Sequence, residues 1–210
     1  MSSVQSLNQS NQPKVQSSPP QEAKNSRSHH LDLSEFPILK GLARRITNLI
    51  QGLTFHNDSL YNSPTRDQQS ESPKETSKTP HLSKMFKCSH MPSIEFSDFV
   101  ERFKRCGEIR DEVFTLSFIL IKRVMKQVEV DSALYVHKLF AVVLFISHKY
   151  LVDTEAWFLE TFSELAGIKK KRLEKMELHL MKEVLGFKVY TSSEEFERAE
   201  KCLLAYAMLK

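Results

Sequence analysis

The 210-residue chain has only five glycines, three cysteines and one tryptophan. So few glycines leave no glycine-rich loop to cradle a phosphate, which excludes most nucleotide-binding α/β enzymes. Cys88, Cys106 and Cys202 are odd in number and far apart. They make no disulfide scaffold, and such usage fits a reducing compartment. No Gly-x-Gly-x-x-Gly, P-loop, His-Glu-x-x-His or Cys-x-x-Cys motif occurs. None of the eight histidines has a Glu three residues before it, so the di-iron ligand pattern of helical bundles is missing. Cys88 and His90 lack further ligands nearby and read as an incidental pair. No apolar run reaches the roughly 18 residues of a membrane span. The opening Met1–Ser6 has no basic head and no apolar run, so no secretory leader is expected. The expectation is an intracellular protein, cytoplasmic or nuclear, that is not an enzyme and takes no cofactor, metal or membrane.

The net charge is +4, but its location matters. Residues 1–90 hold 11 Lys and Arg against 7 Asp and Glu, whereas residues 91–210 hold 19 of each sign. Counterion release by Lys and Arg drives affinity for phosphate backbones, so a neutral half predicts no nucleic-acid partner.

Polar composition marks two stretches. Residues 1–30 are rich in Ser, Gln and Asn and carry too little apolar area to offset chain entropy, so a disordered tail is expected. Residues 57–84 read as a linker for the same reason. Within it, Ser63-Pro64-Thr65-Arg66 fits the Ser-Pro-x-basic pattern of proline-directed kinases and makes Ser63 a candidate phosphosite. Ser18, Ser72 and Thr79 precede Pro without the basic residue.

Between these stretches, residues 34–53 place Phe36, Leu39, Leu42, Ala43, Ile46, Leu49, Ile50 and Leu53 on one helical face. Ser34 is the candidate N-cap and Pro37 suits a first turn. Lys40, Arg44 and Arg45 are expected to point away. A helix this short is marginal alone, so it should dock on the rest of the chain or on a partner.

From residue 91 onward the helical pattern is nearly continuous. Segments 93–106, 111–127, 133–151, 155–166, 169–185 and 192–208 are predicted helices, with Gly107, Gly167 and Gly186 as stops. Ser192 through Glu195 supply capping chemistry and first-turn acids. Leu139 to Ile146 are eight apolar residues in a row. A buried strand fits that run by itself, but no Gly or Pro interrupts 133–151 and no second strand is available to pair. A helix apolar all round needs neighbours on every side. The predicted architecture is therefore a single all-α domain with 133–151 at its centre and four or five helices around it.

Three stretches carry a resemblance. Residues 92–103 read Pro-Ser-Ile-Glu-Phe-Ser-Asp-Phe-Val-Glu-Arg-Phe. Residues 136–153 run from Val136-His137-Lys138-Leu139 through the apolar stretch to Lys149-Tyr150-Leu151-Val152-Asp153. Residues 167–187 run from Gly167-Ile168 through Leu173, Met176 and Glu177 to Leu185-Gly186-Phe187. In this order and spacing they resemble a cyclin box, and within that family the phosphate-signalling, or P-type, cyclins. The resemblance covers about residues 91–205, and the box domain is expected over 91–207. It implies a regulatory subunit that forms a heterodimer with a cyclin-dependent protein kinase and activates it. It further implies a kinase interface of Lys149, Tyr150, Glu177 and Phe187. From the residues alone, Lys149 and Glu177 equally fit an intramolecular pair, and Tyr150 and Phe187 equally fit core.

Two departures stand out. The Met-Arg-Ala-Ile-Leu docking patch of many cyclins is Met91-Pro92-Ser93-Ile94-Glu95 here. Where the family usually ends its second helix with Tyr-Ile-Asp-Arg, this chain has Leu120-Ile121-Lys122-Arg123, and Lys122 cannot make the internal ion pair of that Asp. Lys169 to Arg172 form a basic run at a helix start, opposed to the helix dipole and read either as a solvated turn or as a docking spot for an acidic or phosphorylated ligand. Two rival functions fit an all-α chain of this kind: a cyclin-fold transcription factor, and a helical adaptor that binds no kinase.

Overall fold

Leu39, Leu42, Ala43 and Ile46 are buried along one face of the first helix, α1, which spans Pro37–Tyr61 in the computed structural model of the protein. The structure describes residues 35–61, 80–152 and 156–209. Six more helices follow: α2 (Phe96–Gly107), α3 (Asp111–Gln127), α4 (Val136–Leu151), α5 (Ala156–Ala166), α6 (Lys170–His179) and α7 (Ser193–Met208). Among the described residues the fold is all-α, with one isolated β-bridge, His81 to Glu129.

The eight-residue apolar run is helical and central. Every residue from Leu139 to His148 on α4 is buried. Helix α3 packs along α4, and α5 and α6 close other sides. Helix α2 meets it through rings: Phe96, Phe99 and Phe103 all face Phe140, with centroids 5.1, 6.2 and 6.3 Å away. Phe145 continues the cluster to Phe158 and Phe162 on α5. Ala133–Leu151 is long and apolar enough by composition to cross a bilayer, which the count of consecutive apolar residues missed. Its window is 72% buried inside the domain, as expected of a core helix.

Helix α1 docks on α2, α3 and α7, and its longest contact is with α7. Arg44 and Arg45 do not point away as expected. Arg44 reaches the carbonyls of Tyr206 and Ala207, and Arg45 lies 5.0 Å over the Tyr206 ring. Cations suit the carbonyl end of α7. Ser34, the expected cap, lies outside the described residues.

Both ends of the stretch expected as a linker, 57–84, fall among the described residues and carry structure. Helix α1 runs on to Tyr61, because no proline follows Pro37 before Pro64 to stop it. At the other end Leu82 is buried, and its N–H donates to Glu129 O at 3.0 Å while Glu129 N–H donates to Pro80 O at 2.9 Å. One apolar side chain with two backbone bonds is enough to fix that stretch to the α3–α4 connection. Residues 62–79, with Ser63, lie outside the described residues, as does the tail expected at 1–30.

Two helix ends differ from the sequence expectation. Gly107 is the last residue of α2, and the left-handed turn falls on Glu108, φ 50°. The expected helix 169–185 is α-helical only to His179; Leu180–Val184 form a π turn before Gly186, φ 54°. Ser192 caps α7 as expected, its side chain accepting from Glu195 N–H at 3.3 Å.

Candidate functional site

Burial along α4 ends abruptly after His148, and Lys149 emerges at the helix C-terminus, where a cation is favoured. Its Nζ donates to Glu177 Oε1 on α6 at 2.6 Å and lies 5.3 Å from the Phe145 ring centroid. The pair bridges α4 and α6 at the surface, with side-chain exposures of 43% for Lys149 and 19% for Glu177. Two residues that the resemblance singled out, 28 positions apart, are thus in direct contact.

Large apolar side chains are exposed in the same two stretches of chain. Tyr150, next to Lys149, is 46% exposed, and Leu178, next to Glu177, is 61% exposed. Phe187 is 60% exposed and Tyr190 73%. Tyr150 and Phe187 are therefore not core. Phe187 also adopts φ 59° directly after Gly186, two left-handed residues in succession. For a residue with a side chain, that conformation costs about 1–3 kcal/mol unless its surroundings impose it. The imposing contact is a bond from Phe187 N–H to Met181 O, 2.8 Å, which wraps the chain back on the π turn.

Sequence reading missed Arg123, the residue that fixes this loop. Its guanidinium donates to the carbonyls of Lys188 and Tyr190, both at 2.9 Å, and to Glu195 Oε2 at 2.6 Å. It ties α3 to the 187–191 segment and to the start of α7. Its type matches the Arg that closes the family's Tyr-Ile-Asp-Arg pattern, but nothing local in the sequence shows its acceptors, which lie 65 to 72 positions later. Lys122 itself is exposed, its Nζ 5.4 Å over the Phe118 ring, and makes no substitute ion pair among the described residues. Lys169, Lys170 and Lys171 are exposed at the start of α6, and Arg172 donates to Met85 O at 3.0 Å.

Among the described residues no group of three or more His, Cys, Asp or Glu is placed to hold a metal ion. A surface ion pair flanked by exposed aromatic and aliphatic side chains, on rigid helices, is the geometry of a binding surface.

A central apolar helix ringed by others, with its outward ends forming such a surface, defines a helical interaction domain. The family model for cyclins matches residues 42–189, and the chain belongs to the cyclin family. Members of that family are regulators rather than catalysts. The matched span starts inside α1, so the family's pattern takes in that helix as well as α2 to α6. No curated protein matches the chain.

Proposed function

We propose that this chain is the regulatory subunit of a cyclin-dependent protein kinase, of the P-type class, and that it docks through Lys149, Tyr150, Glu177 and Phe187. The observation that carries the reading is the Lys149–Glu177 ion pair standing at the surface among exposed Tyr150 and Leu178. An exposed ion pair adds only about 0–1 kcal/mol to a fold. Exposed aromatics and a left-handed Phe187 add nothing to it. A partner that brings matching polar groups to both charges gains from each, which offsets the cost of desolvating them.

In this reading the chain performs no chemistry. It presents a rigid surface to the kinase's mobile helix and contacts that helix better in its active position than in its inactive one. Differential contact shifts the population toward the state in which the kinase's own Glu pairs with its ATP-positioning Lys. The neutral charge of residues 91–210 favours this partner over nucleic acid.

Purification of the tagged full chain from its own cells tests the proposal. A protein kinase catalytic subunit in stoichiometric amount supports it. Recovery with general transcription machinery supports the transcription-factor alternative, and recovery with neither leaves a helical adaptor.

A further inference from the structure

Leu49, Gly52 and Leu53 share one face of α1, and Phe118, Ile121 and Met125 share one face of α3, each at helical spacing. These two stripes wall a groove of about 300 Å³ between the helices. Phe118 and Ile121 are buried, whereas Leu49, Leu53 and Met125 are only half-buried. Gly52 is exposed, and a Cβ built on it meets nothing within 4 Å. Glycine weakens a helix interior, and here no neighbouring element among the described residues uses the space it leaves.

Arg45 on α1 and Lys122 on α3 also line the groove, and both are exposed. Their charges rest on rings, Arg45 5.0 Å from the Tyr206 centroid and Lys122 5.4 Å from that of Phe118. Lys122 is shared with a second hollow of about 350 Å³ toward α7, lined also by Lys126 and Arg198. Lys122 and Lys126 stand one turn apart, about 6 Å along the helix, a spacing at which like charges repel. Among the described residues Glu195 is the one carboxylate lining either hollow, and Arg123 already holds it at 2.6 Å. Glu194 lies beside Arg198, whose Nε donates to its backbone carbonyl at 3.1 Å.

We infer that this groove docks an acidic amphipathic helix of a partner protein. A slot between two helices, apolar over about two turns, accepts the apolar face of a third. Carboxylates on successive turns of that helix match the spacing of Lys122 and Lys126. Opposite charge then fixes its orientation and turns basic segments away. A second copy of this chain fits less well, because a two-fold pairing sets these cations against themselves. A bilayer fits less well too, since the apolar side chains are sunk between helices rather than raised above them. The inference stands apart from the kinase reading, because Lys149, Tyr150, Glu177 and Phe187 do not line the groove.

Fluorescence anisotropy on the full chain tests it with a labelled helical peptide of Leu, Ala and Glu, Leu along one face and Glu beside it. A twin carries Lys for every Glu. The acidic peptide should bind at least about tenfold tighter than its twin. Gly52→Leu fills the open space and should weaken that binding at least about tenfold without lowering the melting temperature, which separates a blocked groove from a failure to fold. Lys122→Glu combined with Lys126→Glu should reverse the preference between the twins. Equal binding of the twins overturns the proposal, as does acidic-peptide binding that Gly52→Leu leaves unmoved. A dimer in sedimentation that Gly52→Leu dissolves overturns it in favour of a second copy. Binding to phosphatidylserine vesicles that Gly52→Leu abolishes overturns it in favour of lipid.

Discussion

Gly41 on α1 faces the backbone of Leu203 on α7 so closely that a Cβ built on Gly41 overlaps the Leu203 carbonyl oxygen. The obstructing atom is main chain and cannot rotate aside. Gly41→Ala must push the two helices apart, and overpacking of this kind costs about 3 kcal/mol or more. Gly52 on the same helix has nothing within 4 Å. Gly52→Ala should be neutral or stabilise by up to about 1 kcal/mol through helix propensity. Urea unfolding of both variants measures the contrast, and equal effects would remove the close-approach argument.

Lys149→Ala and Glu177→Ala should separate binding from folding. In the kinase complex either change leaves a charge desolvated and unpaired, a loss of about 2–5 kcal/mol. At about 1.4 kcal/mol per decade this is roughly 30-fold to a few thousand-fold in affinity. In the isolated chain the exposed pair contributes about 0–1 kcal/mol, so the melting temperature should barely move. Kinase activation at wild-type level by either variant would show the interface assignment to be wrong.

Phe187→Gly should move the same two quantities in opposite directions. Glycine accepts φ 59° freely, so relief of strain should raise stability by about 1 kcal/mol. Loss of an exposed aromatic contact should weaken kinase binding at least tenfold, or about 1.4 kcal/mol. A variant that is both less stable and fully binding would contradict both statements.

Acid should destabilise the domain through its buried histidines. Burial pushes the pKa of His137 down, and burial with the Arg110 charge does the same for His148, which stacks on Phe158. A histidine held neutral in the fold binds its proton more readily when unfolded. Their contribution is therefore complete above the ordinary histidine value of 6.5, is lost as pH falls below it, and levels off below the depressed folded values. Melting temperatures across this window should fall with acid, and His137→Met should flatten the fall. An unchanged slope in that variant would exclude His137 as a source.

The fold was legible in the sequence wherever periodicity carried it. The run from Leu139 to Ile146 read as a central helix because no strand partner existed, and α4 is that helix. Lys149 and Glu177 were legible as site candidates only through the resemblance, since residue types alone fitted an internal pair equally well. Exceptions to local rules were not legible. Leu180 to Val184 keep an apolar helical pattern, so nothing in it marks the π turn that carries the chain round to Phe187. His137 hid inside a motif as an ordinary helix residue, because its burial between the Phe96 and Phe99 rings is a property of the surrounding packing. Arg123 was unreadable for a similar reason: its four acceptors come from residues 65 to 72 positions later in the chain.

The α1–α7 pairing also orders events during synthesis. Arg44 and its Tyr206 acceptor are 162 residues apart, so α1 leaves the ribosome long before the helix it packs against exists. Until then the apolar face of Leu39, Leu42 and Ile46 has only part of its cover, and the chain must close a long loop before that contact stabilises anything. Completion of the domain thus waits until α7 has left the ribosome. A stop codon placed just before Leu203 would strip the cover from α1 as well as shorten α7, exposing an apolar helix at the opposite end of the domain's sequence.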